Sequence, residues 1–207
     1  YALLRTGPLT ASPAFAGALI RLGSQSEAPD TQLHFFPWST DRLDRGPHPF
    51  SGFTILANHS RPESRGHVRI SSSDPAAPPK IVANYLSADA DREAAVSAIR
   101  FVRLLARTSA LSRIVTEELL PGVEAWNDQD FLEHARKDGQ SAYHPVGTCC
   151  MGRDAGAVVD PQLRVHGIAG LRVADASIMP TLVSANTNAA CMMIGEKAAD
   201  LILADAR

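Results

Sequence analysis

The chain contains 207 residues, of which 45% are hydrophobic and 20% are charged, and its formal net charge is −2 at pH 7. This composition is typical of a folded globular protein and excludes a disordered or collagen-like chain. The near-neutral charge gives no reason to expect nucleic acid as a partner, and no apolar run approaches the roughly 20 residues that a transmembrane segment needs.

The first part of the chain is predicted to form a connector followed by strands. Residues 1–30 are rich in loop-forming residues and are predicted to form a connector with one helix over the apolar residues 15–22. Three later segments are short, rich in β-branched or aromatic residues and bounded by Gly, Pro or Asp. They predict strands of a largely antiparallel sheet over residues 32–38, 52–58 and 67–71.

Helices dominate the predicted elements of the second half of the chain. Ser87 or Asp89 can cap an amphipathic helix that extends to about residue 107 and packs on a sheet. A shorter helix is predicted over residues 128–137, and Gly139 is expected to end it. The remaining elements are two short strands and a final helix, over residues 158–159, 171–174 and 189–204. Five apolar residues of that final helix are expected to pack in the core: Met192, Met193, Ile194, Leu201 and Ile202.

The three cysteines are Cys149, Cys150 and Cys191. Their spacing suits neither a disulfide framework nor a zinc site, so no metal centre is predicted. We expect small buried residues in a reducing compartment, and we therefore predict a cytoplasmic protein.

Several motifs occur in a characteristic order. His-Pro-Val-Gly-Thr at residues 144–148 is followed by Leu-Arg-Val-Ala-Asp-Ala-Ser at 171–177 and Asn-Thr-Asn at 186–188. The other segments of this pattern are residues 61–68, 79–86, 159–160, 163–167 and 193–200. Motifs in register are far more specific than one short pattern. Together they resemble the C-terminal part of the glucose-methanol-choline (GMC) family of flavin oxidoreductases, on its choline dehydrogenase-like side.

The resemblance implies an α+β fold built from parts of two domains. It assigns residues 31–140 to a substrate-binding domain with a largely antiparallel sheet and packed helices. Residues 141–207 would be a catalytic segment that returns to a Rossmann-like FAD-binding domain and supplies its C-terminal strands and helix. The Gly-x-Gly-x-x-Gly turn of that domain does not occur here. We therefore expect a fragment, a processed chain or a partial gene product, with the N-terminal FAD-binding half as its partner.

Alcohol oxidation by a flavin requires a base, because an alkoxide expels hydride far more readily than a neutral alcohol does. An imidazole with an ordinary pKa of about 6.5 is mostly unprotonated near neutral pH and suits this task. By match to the family motif, that base is His144, whose backbone Pro145 restricts to an extended conformation. The other six histidines are predicted to be surface or satisfied core residues.

The Asn-Thr-Asn motif supplies the second predicted catalytic residue. The resemblance places Asn186 next to His144, where its side chain would hydrogen-bond the substrate oxygen and stabilise the alkoxide. Asn186 could instead cap the final helix, and the two roles are compatible. The N-terminus of that helix is implied to lie at the flavin ring. Four residues are implied to contact FAD: Asp175, Ala176, Thr187 and Asn188.

The sequence thus predicts the C-terminal portion of an FAD-dependent alcohol dehydrogenase or oxidase acting on a small-molecule alcohol. Two alternatives stay open. The chain could be a non-catalytic fragment or subunit that needs a separate flavin-binding chain, or part of a hydroxynitrile lyase on the same fold. A Ser-His-Asp hydrolase is disfavoured because no Gly-x-Ser-x-Gly motif occurs.

Overall fold

The computed structural model of the protein describes residues 12–23, 26–184 and 186–205. Over these ranges the chain forms antiparallel sheets and three α-helices, which confirms the predicted α+β class. No helix in the same ranges combines the length and the apolar character that crossing a bilayer requires.

The chain divides into two compact units. The first lies within Tyr1–His59 and Ala88–Gln140, and the second lies within Ser60–Ser87 and Ser141–Arg207. Residues 60–87, which fall in the predicted substrate-binding range, therefore group with the C-terminal segment. The assignment of either unit to a substrate-binding or an FAD-binding domain stays a prediction.

The first unit contains a three-stranded antiparallel sheet in the order β1-β2-β3. Strand β1 is Ala16–Ile20, β2 is Thr31–Phe36 and β3 is Thr54–His59. The strands predicted near β2 and β3 are confirmed with small shifts at their ends. The part of the predicted connector that falls on residues 1–11 lies outside the described residues.

The helix predicted over residues 15–22 is wrong, because this segment contains strand β1. A short apolar run can form either element, and here antiparallel pairing with β2 decides the outcome. Gly17 favours this pairing, since a Cβ there would lie only 3.0 Å from the Leu33 carbonyl oxygen. The backbone of β1 can therefore approach its neighbour closely.

Helix α1, Asp89–Ala106, packs on β3 and on helix α2, Asp128–Asp138. Its predicted extent and its packing on a sheet are confirmed. The predicted cap position is wrong, since Ala88, between Ser87 and Asp89, occupies the N-cap position. The backbone of Ala88 is extended, as is usual at an N-cap. The core of the first unit includes Leu33, Phe36, Ala98 and Phe131.

Helix α2 begins with a capping box and ends at a glycine. The Asn127 side chain accepts from the Asp130 amide at 3.0 Å, and the Asp130 carboxylate accepts from the Asn127 amide at 3.3 Å. Gly139 ends the helix as predicted, but its φ of −60° is not left-handed. A Cβ at this position would lie 2.2 Å from the Ala135 carbonyl oxygen. Close approach of the backbone therefore explains the glycine.

The second unit has little regular structure before its final helix. Strands β4, His67–Arg69, and β5, Lys80–Val82, form a separate two-stranded antiparallel sheet. The strand predicted over residues 67–71 is thus present, but not in the first sheet. The strands predicted over residues 158–159 and 171–174 are isolated bridges instead, because each segment pairs at single residues before the chain turns away.

Helix α3, Asn188–Asp205, confirms the predicted final helix and completes the core of the second unit. Ile194 and Ala198 are buried on it. Met192, Met193 and Ile202 were expected in the core but are 60%, 60% and 50% exposed. Because α3 is apolar around most of its circumference, only one face can meet this core. The buried core residues are Val159, Leu163, Ile178, Met179, Ile194 and Ala198.

The end of α3 is fixed by an ion-pair cluster. Asp205 accepts from Arg164 at 2.6 Å and also from Arg172. Hydrogen bonds from Arg164 and then Arg172 hold the pKa of the Asp205 carboxyl below its usual range. All three cysteines are partly buried, which corrects the expectation that they are buried, and Cys191 packs against the core of the second unit.

Neighbouring residues of α3 provide a matched test of this core. Replacing Ile194 with Ala is expected to lower the free energy of unfolding by about 2–5 kcal/mol, because it leaves a cavity. The control, Met193→Ala, removes an exposed side chain and should change stability by about 0.5 kcal/mol or less. Urea unfolding followed by circular dichroism measures both. Equal losses would contradict the assigned core face.

Asp30 stabilises the loop between β1 and β2, and only 5% of its surface is exposed. Its carboxylate accepts from the amides of Leu22 at 3.0 Å and Gly23 at 2.9 Å, and from the Thr31 hydroxyl at 3.1 Å. Burial raises the pKa of Asp30, but these hydrogen bonds outweigh burial and hold the pKa below its ordinary value. The ionised form therefore stabilises the fold.

Asp30→Asn is expected to lower the free energy of unfolding by about 1–3 kcal/mol at neutral pH, because an amide cannot accept from both backbone donors. The folded pKa lies below the unfolded one, so the contribution is present above about pH 4 and is lost as the pH falls through the folded pKa. The difference in the free energy of unfolding between the wild type and Asp30→Asn should therefore disappear in acid. Glu27→Gln, in the same loop and exposed, is the control. Urea unfolding at several pH values measures this difference. A difference that does not depend on pH would contradict a stabilising role of the ionised Asp30 carboxylate.

Candidate active site

His144 lies in a loop that is attached to the core of the second unit. Backbone hydrogen bonds join Cys149 to Ser177 at 3.0 Å and Met151 to Ile178 at 2.8 Å. Tyr143, directly before His144, has a φ of 59°, which is uncommon for a residue with a side chain. Such backbone strain is typical of functional sites. The histidine is therefore presented from a constrained backbone.

Both ring nitrogens of His144 are engaged by consecutive residues. Asn186 Nδ2 lies 2.7 Å from His144 Nε2, and Thr187 Oγ1 lies 2.9 Å from His144 Nδ1. Asn186 is exposed, whereas Thr187 is 7% exposed. The structure thus brings together both residues predicted to be catalytic. Their roles stay predictions.

The start of α3 places the two partners of His144. The Cys191 amide donates to the Thr187 carbonyl oxygen at 2.9 Å, so Thr187 closes the first turn of the helix. Asn188, the first helical residue, is exposed. The first turn contains no acidic residue, so no nearby carboxylate compensates the positive end of the helix dipole. This end suits an electron-rich group of a bound cofactor.

Asp175 caps a short 3₁₀ helix, Ala176–Ile178. Its carboxylate accepts from the Ser177 amide at 2.8 Å and from the Ser177 hydroxyl. The position at a strand end, which the sequence suggested, is wrong, because the preceding segment forms a bridge and not a strand. The described hydrogen bonds of Asp175 stay within its turn and do not reach His144. The predicted cofactor contacts of Asp175 and Ala176 stay predictions.

The sequence prediction missed two contacts of the second unit. One is the bond from Thr187 to His144, since the motif match assigned Thr187 to the cofactor. The other joins Arg61 to Ser184, whose Oγ lies 3.0 Å from Arg61 Nε. Residues 61–63, 65 and 181–184 line a shallow cleft there. The motif at residues 61–68 was the signal that could have pointed to this cleft.

His48, one of the six histidines predicted to be surface or satisfied core residues, has polar partners for both ring nitrogens. Its Nδ1 lies 3.0 Å from Ser39 Oγ, and its Nε2 lies 3.4 Å from Asp41 Oδ1. Ser39 is 5% exposed, and its carbonyl oxygen accepts from the His48 amide at 2.8 Å. These bonds close a loop and leave Ser39 inaccessible as a nucleophile. Among the described residues, no group of three or more His, Cys, Asp or Glu side chains is placed to hold a metal ion.

The cap at Asp175 can be tested by stability. Asp175→Ala is expected to lower the free energy of unfolding by about 0.5–2 kcal/mol, because the Ser177 amide loses its acceptor. Asp175→Asn keeps a side-chain oxygen and should retain most of the stability. Urea unfolding of the two variants distinguishes these outcomes. Equal losses would show that the cap contributes little.

Comparison with known proteins gives the family. The chain matches the family model described as GMC oxidoreductase over residues 62–195. It is 42% identical to an oxygen-dependent choline dehydrogenase of Klebsiella pneumoniae over 187 residues, which cover 90% of this chain and 34% of that protein. A relative of the same description from Escherichia coli is 43% identical over 90% of this chain and 33% of that protein. The chain thus spans about a third of the length of these relatives.

Solved structures agree with the sequence relatives. Pyridoxine 4-oxidase from Mesorbium loti superposes with a TM-score of 0.79 at 31% identity, covering 91% of this chain and 37% of that one. A formate oxidase from Aspergillus oryzae, in a study of FAD modification, gives a TM-score of 0.76 at 31% identity, covering 86% and 32%. The resemblance read from the motifs is confirmed. The chain belongs to the GMC oxidoreductase family and corresponds to the C-terminal part of its choline dehydrogenase-like members.

Proposed function

We propose that this chain supplies the proton-abstracting part of an FAD-dependent alcohol dehydrogenase or oxidase, with His144 as the base. The observation that carries the proposal is the 2.7 Å contact between His144 Nε2 and the exposed side-chain amide of Asn186. An amide nitrogen only donates, so the Nε2 atom presents a lone pair at an accessible position. A substrate hydroxyl can donate to the same lone pair.

Asn186 has a second part in this proposal. Its amide lies beside the atom that receives the proton, so it can turn its donor to the substrate oxygen as negative charge develops there. An asparagine cannot take a proton at neutral pH, which leaves His144 as the base. One well-placed donor to a developing oxyanion is worth about 10²- to 10³-fold in rate. Asn186 thus binds the substrate oxygen and stabilises its negative charge, and His144 removes the proton.

FAD is the cofactor that we propose, and it supplies the hydride acceptor when bound. The donor set of this chain fits such a group, since the exposed start of α3 offers backbone N–H groups without a neighbouring carboxylate. Thr187 and Asn188 lie at this helix start, and we propose that their backbone faces the flavin. We further propose that Asp175 and Ala176 contact the ribityl or pyrophosphate part. The C-terminal segment 141–207 would then complete a Rossmann-like FAD-binding domain, and residues 31–140 would belong to the substrate-binding domain.

We propose the N-terminal FAD-binding half of the protein as the partner of this chain. The relatives are about three times as long as the matched segment, which supports such a partner. Exposed apolar side chains on α3 support it too, because large apolar patches mark interaction surfaces. They are Met192, Met193, Ile202 and Leu203. The proposed substrate is a small-molecule alcohol.

Removal of the His144 imidazole tests the proposed reaction. In the enzyme that joins this chain to its FAD-binding half, His144→Ala should slow anaerobic flavin reduction by an alcohol about 10²- to 10⁴-fold. Flavin should remain bound, because His144 is not proposed to hold it. The matched control is His166→Ala, an exposed histidine of the same unit whose Nε2 lies 3.2 Å from the Gly152 carbonyl oxygen. Stopped-flow absorbance of the flavin measures all three proteins.

Several outcomes would contradict the proposal. Reduction at the wild-type rate in His144→Ala would remove this residue as the base. A wild-type flavin that stays oxidised while a cyanohydrin substrate is cleaved would indicate a lyase. Titration of FAD into this chain alone is a separate test, and tight stoichiometric binding would show that no separate flavin-binding half is needed.

A further inference from the structure

We propose that Thr187 is a positioning residue that accepts a hydrogen bond from Nδ1–H of His144 and so holds the tautomer whose lone pair faces the substrate. The inference rests on the proposed role of His144 as a base. It goes beyond that role, because it names the group that keeps the base in its reactive form. The main observation that supports it is the 2.9 Å contact between Thr187 Oγ1 and His144 Nδ1.

The hydrogen-bond chemistry of the two contacts determines the tautomer. The Asn186 amide nitrogen is a donor without a lone pair to offer, so His144 Nε2 is the acceptor of their 2.7 Å bond. A neutral imidazole carries one N–H, which must then be on Nδ1. Thr187 Oγ1 therefore accepts from Nδ1–H. The Asn186 amide thus specifies the tautomer, and the Thr187 hydroxyl, which can both donate and accept, bonds the Nδ1–H that this tautomer presents.

Thr187 is held more firmly than Asn186. Its side chain is buried, and its carbonyl oxygen accepts the Cys191 amide in the first turn of α3. A β-branched side chain also has few rotamers open to it. Asn186 is exposed, so a substrate can replace its contact with Nε2. The permanent contact thus lies on Nδ1, and the exchangeable one lies on Nε2.

The proton transfer follows from this arrangement. The substrate O–H bond breaks, a new N–H bond forms at His144 Nε2, and the electron pair stays on the substrate oxygen. The ring becomes an imidazolium, whose Nδ1–H still donates to Thr187 Oγ1. Neither His144 nor Thr187 has to rotate during the step. The opposite tautomer would present an N–H to the substrate and could not act as a base.

Nitrogen-15 NMR of this chain tests the tautomer without any catalysis. Long-range correlations within the imidazole distinguish a protonated nitrogen from one with a lone pair. The imidazole signals that are missing from the spectrum of His144→Ala belong to His144. We expect Nδ1–H in the wild type and in Thr187→Ser, which keeps a hydroxyl. Thr187→Val has a similar shape without the hydroxyl and should shift the tautomer ratio toward Nε2–H by about 2- to 12-fold, the worth of one neutral hydrogen bond. An Nε2–H wild type, or an unchanged ratio in Thr187→Val, would overturn the proposal.

A kinetic readout separates positioning from a structural role. In the enzyme joined to its FAD-binding half, Thr187→Val should lower the limiting rate of flavin reduction by about 2- to 12-fold while the alcohol concentration for half-saturation stays unchanged. Thr187→Ser should restore the rate. The control Thr108→Val removes a different hydroxyl, which donates to the Leu105 carbonyl oxygen at 2.8 Å, and should leave reduction unchanged. A higher alcohol concentration for half-saturation with an unchanged limiting rate would contradict the positioning role of Thr187.

The two proposals fail in different ways. A His144→Ala enzyme that reduces flavin normally would defeat the proposed function, whatever tautomer the ring adopts. A slow His144→Ala enzyme together with a normal Thr187→Val rate would defeat only the role of Thr187. Circular dichroism of each variant shows whether it folds. Where Thr187→Val does not fold, an Nε2–H tautomer in the wild type would still overturn the proposal.

Discussion

The packing of α3 on the core of the second unit is the constraint on which the site depends. Ile194 and Ala198 bury one face of the helix, and the same core holds the loop after His144 through Met151. Burial of a large aliphatic side chain is worth about 1.5–3 kcal/mol, whereas a neutral hydrogen bond contributes about 0.5–1.5 kcal/mol. Packing therefore sets the distance between His144 and the start of α3, and the hydrogen bond between His144 Nδ1 and Thr187 Oγ1 refines the orientation of the ring.

Much of the fold could be predicted wherever local signals agree with the final packing. The extents of α1, α2 and α3 follow from apolar spacing and from the capping residues of α2, both of which act within a few residues. Strand β1 could not be predicted, because five apolar or small residues fit a helix as well as a strand until β2 pairs with them. The isolated bridges at Val159 and Arg172 likewise depend on distant partners. Exposure on α3 was missed because an apolar helix does not reveal which face meets the core.

The candidate site shows the same division between local and distant information. The motif match identified His144 and Asn186 as candidate site residues. Their contact agrees with this prediction, although 42 positions separate them in the chain. The contact of Thr187 could not be predicted, because it requires knowledge of which consecutive residue meets which ring nitrogen. A strand was predicted directly before Asp175, but this segment pairs at a single residue and is followed by a capped turn. Motif identity thus located the residues, and only packing assigned their partners.

The chemistry of the two neighbours explains why a motif of consecutive residues suits a base. A donor such as the Asn186 amide leaves the Nε2 lone pair in place, whereas a carboxylate there could only accept and would draw the proton onto Nε2. A hydroxyl such as that of Thr187 can accept from Nδ1–H in both the neutral and the protonated ring, so it need not rearrange when the proton arrives. Burial keeps water from competing for this bond, and exposure keeps the Asn186 contact exchangeable. Placing both residues at the start of one packed helix makes the difference in their accessibility a direct consequence of the fold.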